Sequence, residues 1–138
     1  MRKISSIMLI DDEPVNNFIC RRTIEHFDPT IKIVEFEKAK DALEYFKLQS
    51  KNKNQQLPDV VFLDLNMPFM DGWSFLEHYK ELMPYFNADI ELFLLTSSSF
   101  EGDLKRARNF PVISHYITKP LTLTILEKIS LDQIPQFY

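Results

Sequence analysis

Short unbroken apolar runs alternate with longer amphipathic stretches along the whole chain. Ile7-Met8-Leu9-Ile10, Val60-Val61-Phe62-Leu63 and Leu92-Phe93-Leu94-Leu95 are continuous hydrophobic tetrads. That is the pattern of central parallel strands covered on both faces. Charges separate Ile31, Ile33 and Phe36, as they do on an edge strand. A fifth, weaker strand is expected around Tyr116-Ile117. The five strands are thus placed with starts near Ile7, Ile31, Asp59, Ile90 and Ser114.

Helical stripes fill the intervals. The first helix is expected to open near Pro14, which suits a first turn where its missing N–H is not needed, and to bury Val15, Phe18 and Ile19. Ala39, Ala42, Leu43 and Phe46 form a second stripe, and Phe75, Leu76, Tyr79, Leu82, Met83 and Phe86 a third. Leu123, Ile125, Leu126 and Ile129 predict a last helix. Glu101, Asp103, Lys105, Arg106 and Arg108 predict a short polar fourth one between Phe100 and Val112. The polar stretch from Gln49 to Gln56 is expected to be an exposed, mobile loop. Five alternations of strand and helix predict an α/β protein with a parallel sheet.

Composition narrows this picture. With 138 residues the chain fits one domain, and its 45% hydrophobic and 26% charged residues are ordinary for a globular protein. Twelve Phe and five Tyr supply enough bulk for a core without disulfide or structural metal. The lone cysteine, Cys20, cannot form an internal disulfide, which favours a reducing compartment. The net charge of −4 and the absence of a long basic run argue against direct nucleic-acid binding. No apolar run reaches the roughly 18–20 residues of a membrane span. The basic start is followed by Ile7-Met8-Leu9-Ile10, an apolar run cut short at Asp11 and Asp12 and too short for a secretory core, so no secretory signal is expected. A soluble, cytoplasmic protein is expected. The tail after the fifth helix leaves no room for an output domain, so residues 1–138 are expected to form a single domain.

Chemistry is sought where open parallel sheets gather ligands, at the carboxyl ends of their strands. The first apolar run ends in Asp11-Asp12-Glu13, the third in Asp64-Leu65-Asn66-Met67-Pro68, the fourth in Thr96-Ser97-Ser98-Ser99 and the fifth in Lys119-Pro120. Asp11, Asp12 and Asp64 held together would repel one another, and a hard divalent cation such as Mg²⁺ relieves that repulsion. A carboxylate can also serve as the nucleophile that forms an aspartyl-phosphate. The metal, Lys119 and the Thr96 hydroxyl could then meet the phosphoryl oxygens. Singly, each residue has an ordinary explanation. Asp12 could cap a helix, Asp64 could open a turn, Thr96 could satisfy strand-end backbone groups, and Lys119 could be a solvated lysine. None of these explains why all four fall at strand carboxyl ends in this order.

From about Ser6 to Ile129 the chain resembles a response-regulator receiver domain. The resemblance is carried by Asp11-Asp12, by Phe62-Leu63-Asp64-Leu65-Asn66-Met67-Pro68 with Met70-Asp71-Gly72, by Leu95-Thr96-Ser97 and by Lys119-Pro120. It implies a flavodoxin-like, doubly wound sheet of order 2-1-3-4-5 flanked by five helices. It implies that Asp64 is the phosphoacceptor and that Asp12 and Asp64 bind Mg²⁺ directly. Asp11 would act mainly through a bound water and Asn66 through its backbone carbonyl. Lys119 would pair with Asp64 and be followed by a cis bond to Pro120. Thr96 would swing toward the phosphoryl group while Tyr116, the switch aromatic, turns inward. The implied donor is a sensor histidine kinase or a histidine phosphotransfer domain, and an unknown downstream protein would read the surface near the fourth helix and fifth strand.

Some features depart from the family pattern. The segment from Phe100 to Val112 departs from the small-residue and glycine pattern common before the fifth strand in this family, so its partner is expected to be unusual. The serines after Thr96 resemble those of a subgroup of small stand-alone receivers. Asn66 and Ser98, two positions after Asp64 and Thr96, are neither acidic nor basic, so self-hydrolysis of the phosphoryl group is expected to be slow. Two rival readings differ in class. One is a phosphatase of the haloacid-dehalogenase type, which normally wants an acid where Asn66 stands and a cap this chain is short for. The other is a receiver-like interaction module that is never phosphorylated, which has no need of the full acidic and lysine set.

Overall fold

The computed structural model describes residues 3–97 and 101–134. The strands are β1 (Ser6–Ile10), β2 (Lys32–Phe36), β3 (Val60–Leu63), β4 (Glu91–Thr96) and β5 (Ile113–Thr118). They pair in parallel in the order β2-β1-β3-β4-β5. The helices are α1 (Pro14–Phe27), α2 (Ala39–Ser50), α3 (Gly72–Leu82), α4 (Glu101–Ala107) and α5 (Leu123–Ser130). The expected class, strand order and five helices are all present.

The apolar tetrads explain the layering. Side chains alternate across a strand, so β1 sends Met8 and Ile10 to one face and Ile7 and Leu9 to the other. The first face is covered by α2 and α3 through Ala42, Leu43, Phe46, Phe75, Leu76 and Tyr79, and by Ala107 of α4. The second is covered by α1 and α5 through Cys20, Ile24, Leu126 and Ile129. Burial of Cys20 pushes its thiol up to about 11, so it packs as a neutral apolar group. Both ends of the sheet are accounted for by β2, whose side chains are half-buried or exposed, and β5, likewise mixed.

Four details differ from the sequence reading. In α1 the buried residues are Asn17, Cys20 and Ile24, whereas Val15, Phe18 and Ile19 are 71%, 59% and 45% exposed. The helix is therefore rotated from its most apolar stripe, and the cause is polar. Asn17 Nδ2 donates to the Asp11 carbonyl at 2.8 Å in the interior, supplying a donor to a strand-end carbonyl. Next, α3 ends at Leu82, and Met83–Tyr85 continue as a 3-10 turn around Pro84, so Met83 is exposed while Phe86 still packs on the core. Finally, the stretch from Gln49 is less loose than expected. Helix α2 runs to Ser50, the buried Gln49 side chain accepts from Gln56 N at 2.7 Å, and the Gln55 side chain bridges Tyr85 O and Asn87 N. Leu123 also lies at the exposed margin of α5.

Candidate phosphoacceptor and metal site

The strand order reverses between β1 and β3, since the chain passes from β1 out to β2 and returns to β3 on the other side. The carboxyl ends of these two strands carry Asp11-Asp12 and Asp64. One carboxylate oxygen from each of the three acids lies within 4.8 Å of the other two. A single cation can therefore touch more than one of them. Thr96 ends β4, fully buried, and its carbonyl accepts from Lys119 N at 2.9 Å, which ties the end of β5 to the same edge. The Lys119–Pro120 bond is cis. Tyr116 lies in register with Leu94 on β5, half-buried against the first core cluster. Asn66 is exposed in the loop after Asp64, and Ser98 lies outside the described residues.

The three acids are held in different ways. Asp11 is saturated by the protein: Oδ1 accepts from Glu13 N at 2.9 Å, and Oδ2 accepts from Asn16 Nδ2 at 2.6 Å and Lys119 Nζ at 2.8 Å. Asp12 is the reverse, with Oδ1 buried and without a hydrogen-bond partner among the described residues. Such an orphaned oxygen is costly unless something positive meets it. A direct metal ligand at Asp12 and an indirect role for Asp11 fit that contrast, and three hard oxygen donors suit Mg²⁺. The donor set fits a divalent cation.

Lys119 sits between two carboxylates, but not evenly. Its Nζ is 2.8 Å from Asp11 and 3.7 Å from Asp64. The expected pairing with Asp64 is thus the longer of two, because Asp11 Oδ2 lies closer to the ammonium on its way from β5. Burial disfavours the Lys119 ammonium, yet the hydrogen bond and charge of Asp11, with the charge of Asp64, outweigh it and hold its pKa above the ordinary value. Asp64 is 4% exposed. Burial first, and then the Asp11 charge, push its carboxyl up to about 6, while Lys119 and the backbone N–H groups of Asn66 and Leu65 pull the other way.

That shift has a sign in stability. The ordinary carboxyl value is 3.8 and the folded one about 6, so the folded chain binds the extra proton between these limits. Asp64 is neutral in effect below pH 3.8 and increasingly unfavourable to folding as pH rises through about 6. Asp64→Asn, with chelator present, is expected to be more stable than the native chain by about 1–2 kcal/mol at pH 7.5, allowing for solvent at the site mouth. Urea melts should show the gap closing toward pH 4. A gap that widened in acid would contradict the assignment.

Asn16 and Asn17 belong to the site and were not singled out from the sequence. Their signal was present as two adjacent amides in the first turns of a helix that follows an acidic pair. The loop between Asp64 and α3 is also tightly built. Asp71 caps α3 by accepting from Ser74 N at 2.9 Å, Gly72 N donates to Leu65 O at 3.0 Å, and Met70 N donates to Pro68 O at 2.8 Å. Within it Phe69 has φ 66, a left-handed conformation that costs a non-glycine residue on the order of 1 kcal/mol.

The chain belongs to the response regulator receiver domain family, whose pattern matches residues 7–130. It is the receiver of a two-component signalling system, a class of switches that histidine kinases phosphorylate. Among relatives, a probable methanogenesis regulatory protein, FilR2, of Methanothrix harundinacea is 30% identical over 132 residues, covering 96% of this chain and 82% of that protein. The two-component response regulator ORR1 of rice is 26% identical over 122 residues, and this chain spans 51% of its length. A crystal structure of a two-component response regulator from Cytophaga hutchinsonii superposes with a TM-score of 0.83 at 25% identity, covering 96% of this chain and 98% of that one. Among the described residues no helix is long and apolar enough to cross a membrane.

Proposed function

We propose that Asp64 accepts a phosphoryl group from a phosphohistidine donor with Mg²⁺ bound by Asp12 and Asp64. The observation that carries this reading is the contrast at the site: a saturated Asp11, an unpartnered Asp12 oxygen, and Asp64 within reach of both and of Lys119. When bound, the metal supplies positive charge to the carboxylates and to the phosphoryl oxygens. Asn66 would offer its backbone carbonyl as a further ligand, and Asp11 would act through a bound water.

The chain's own residues do the rest. With a pKa of about 6, Asp64 is mostly ionised at pH 7.5, so its oxygen attacks phosphorus without a general base. The new O–P bond forms as the P–N bond of the phosphohistidine breaks. The electron pair returns to the ring nitrogen, and imidazole leaves neutral when its other nitrogen carries a proton. Lys119 holds the transferred oxygens, and the Thr96 hydroxyl turns toward them. Tyr116 then moves inward from its half-buried position and alters the surface of α4 and β5. Such a switch is a shift between two populations. Asn66 cannot readily activate water, so the phosphoryl group is long-lived.

Incubation with Mg²⁺ and phosphoimidazole tests this. The native chain is expected to gain the mass of one phosphoryl group, lost in base, and Asp64→Asn to gain none. Equal labelling of both would place the acceptor elsewhere.

A further inference from the structure

Four donors meet Asp11 among the described residues, and they do not come from one place. Glu13 N reaches Oδ1 at 2.9 Å, Asn16 Nδ2 reaches Oδ2 at 2.6 Å, and Asn17 Nδ2 reaches the main-chain carbonyl at 2.8 Å. These three belong to α1 and the residue before it, one continuous segment beside the acid. Lys119 Nζ, on Oδ2 at 2.8 Å, comes instead from the end of β5 and sits on a long flexible stem. Oδ2 therefore carries two donors while Oδ1 carries one. The additional donor is the Asn16 amide, which is neutral and adds nothing to the charge balance of the site.

We propose that Asn16 is a positioning residue for phosphoryl transfer: its amide keeps Asp11 satisfied when the Lys119 ammonium turns from Asp11 to the phosphoryl oxygens on Asp64. This rests on the reading of Asp64 as phosphoacceptor. Lys119 Nζ already lies 3.7 Å from Asp64, so the turn is short. Its cost falls on Asp11, which is nearly buried. A buried carboxylate oxygen stripped of its donor is penalised by more than the bond itself was worth. With Asn16 in place, each oxygen keeps one donor after Lys119 leaves, Glu13 N on Oδ1 and Asn16 on Oδ2. Without Asn16, Oδ2 would depend on Lys119 alone, and Asp11 would hold the ammonium back from the charge it has to stabilise. The same amide also approaches Cys20 Sγ at 3.9 Å, one turn along α1. A role confined to that packing contact would not depend on which residue stands at position 119.

The test compares rates of Asp64 labelling by phosphoimidazole at saturating Mg²⁺, with urea melts to establish that each chain is folded. Asn16→Leu keeps the branching of the side chain without its donor, and Asn16→Gln keeps a donor. Asn16→Leu is expected to lower the maximal rate by about tenfold and to leave the half-saturating phosphoimidazole concentration within about twofold. Asn16→Gln is expected to recover most of the rate. In a Lys119→Met chain, where no ammonium remains to be held back, adding Asn16→Leu is expected to change the rate by less than about twofold. Should that double variant fail to fold, an Asp11→Asn chain supplies the same comparison, because a neutral amide there does not hold Lys119 back. An Asn16→Leu chain labelled as fast as native, or a loss that persists in these backgrounds, overturns the role of Asn16. A native chain that phosphoimidazole does not label at Asp64 instead overturns the phosphoacceptor reading.

Discussion

Lys119→Met is expected to lose about 3 kcal/mol of stability at pH 7.5 and to slow phosphoryl transfer to Asp64 by on the order of 10²–10³-fold. The two effects share one cause. The ammonium lies 2.8 Å from Asp11 and 3.7 Å from Asp64, both nearly buried, and methionine fills its volume without its charge. Removing one partner of a buried pair leaves uncompensated charge behind, which costs more than the pair ever contributed. The stability deficit should narrow as pH falls through about 6, where Asp64 takes up a proton and the repulsion with Asp11 weakens. Mg²⁺ should restore part of the deficit at pH 7.5, since a cation on the same oxygens replaces some of the missing positive charge. Urea melts at both pH values, with and without Mg²⁺, measure this. A deficit independent of both pH and Mg²⁺ would mean that Lys119 acts by packing alone.

The strand tips were readable because burial on both faces leaves a plain signature. Ile7 to Ile10, Val60 to Leu63 and Leu92 to Leu95 cannot lie at a surface, so the polar residues that end them had to sit at one edge of the sheet. Order and spacing then sufficed to place Asp11, Asp12, Asp64 and Lys119 near one another, with Thr96 ending the neighbouring strand. The face of α1 was not readable in the same way. Its sequence offers two stripes, Val15-Phe18-Ile19 and Asn17-Cys20-Ile24, and hydrophobicity favours the first. The second is buried because Asn17 donates to the Asp11 carbonyl, a demand set by the neighbouring strand end and invisible within the helix itself. Unequal sharing of Lys119 between two acids is likewise a matter of ångströms that spacing along the chain does not encode. Helix α2 ran past its expected end for a similar reason: Gln49 reads as a polar loop residue until Gln56 N is found bonded to its side chain.

Gly72→Ala is expected to destabilise the chain by about 2–3 kcal/mol and to raise the Mg²⁺ concentration needed for half-saturation several-fold. Helix propensity alone predicts the opposite, since alanine is better than glycine in a helix by about 1 kcal/mol. The steric term wins. A Cβ at Gly72 would stand 2.7 Å from the Asp64 carbonyl oxygen and 2.9 Å from Leu65 Cα, and both are backbone atoms that cannot step aside as a side chain could. Relief requires the start of α3 to move away from the end of β3, which lengthens the 3.0 Å bond from Gly72 N to Leu65 O and shifts the segment that positions Asp64. The same displacement disturbs Trp73, the chain's single tryptophan, which stacks on Phe110 with centroids 5.7 Å apart beneath the Arg106 guanidinium at 4.7 Å. Its fluorescence therefore reports both unfolding and the local change. A Gly72→Ala chain as stable as native, with unchanged Mg²⁺ response, would show that the approach of α3 to Asp64 is looser than these distances require, and that glycine is there for some other reason.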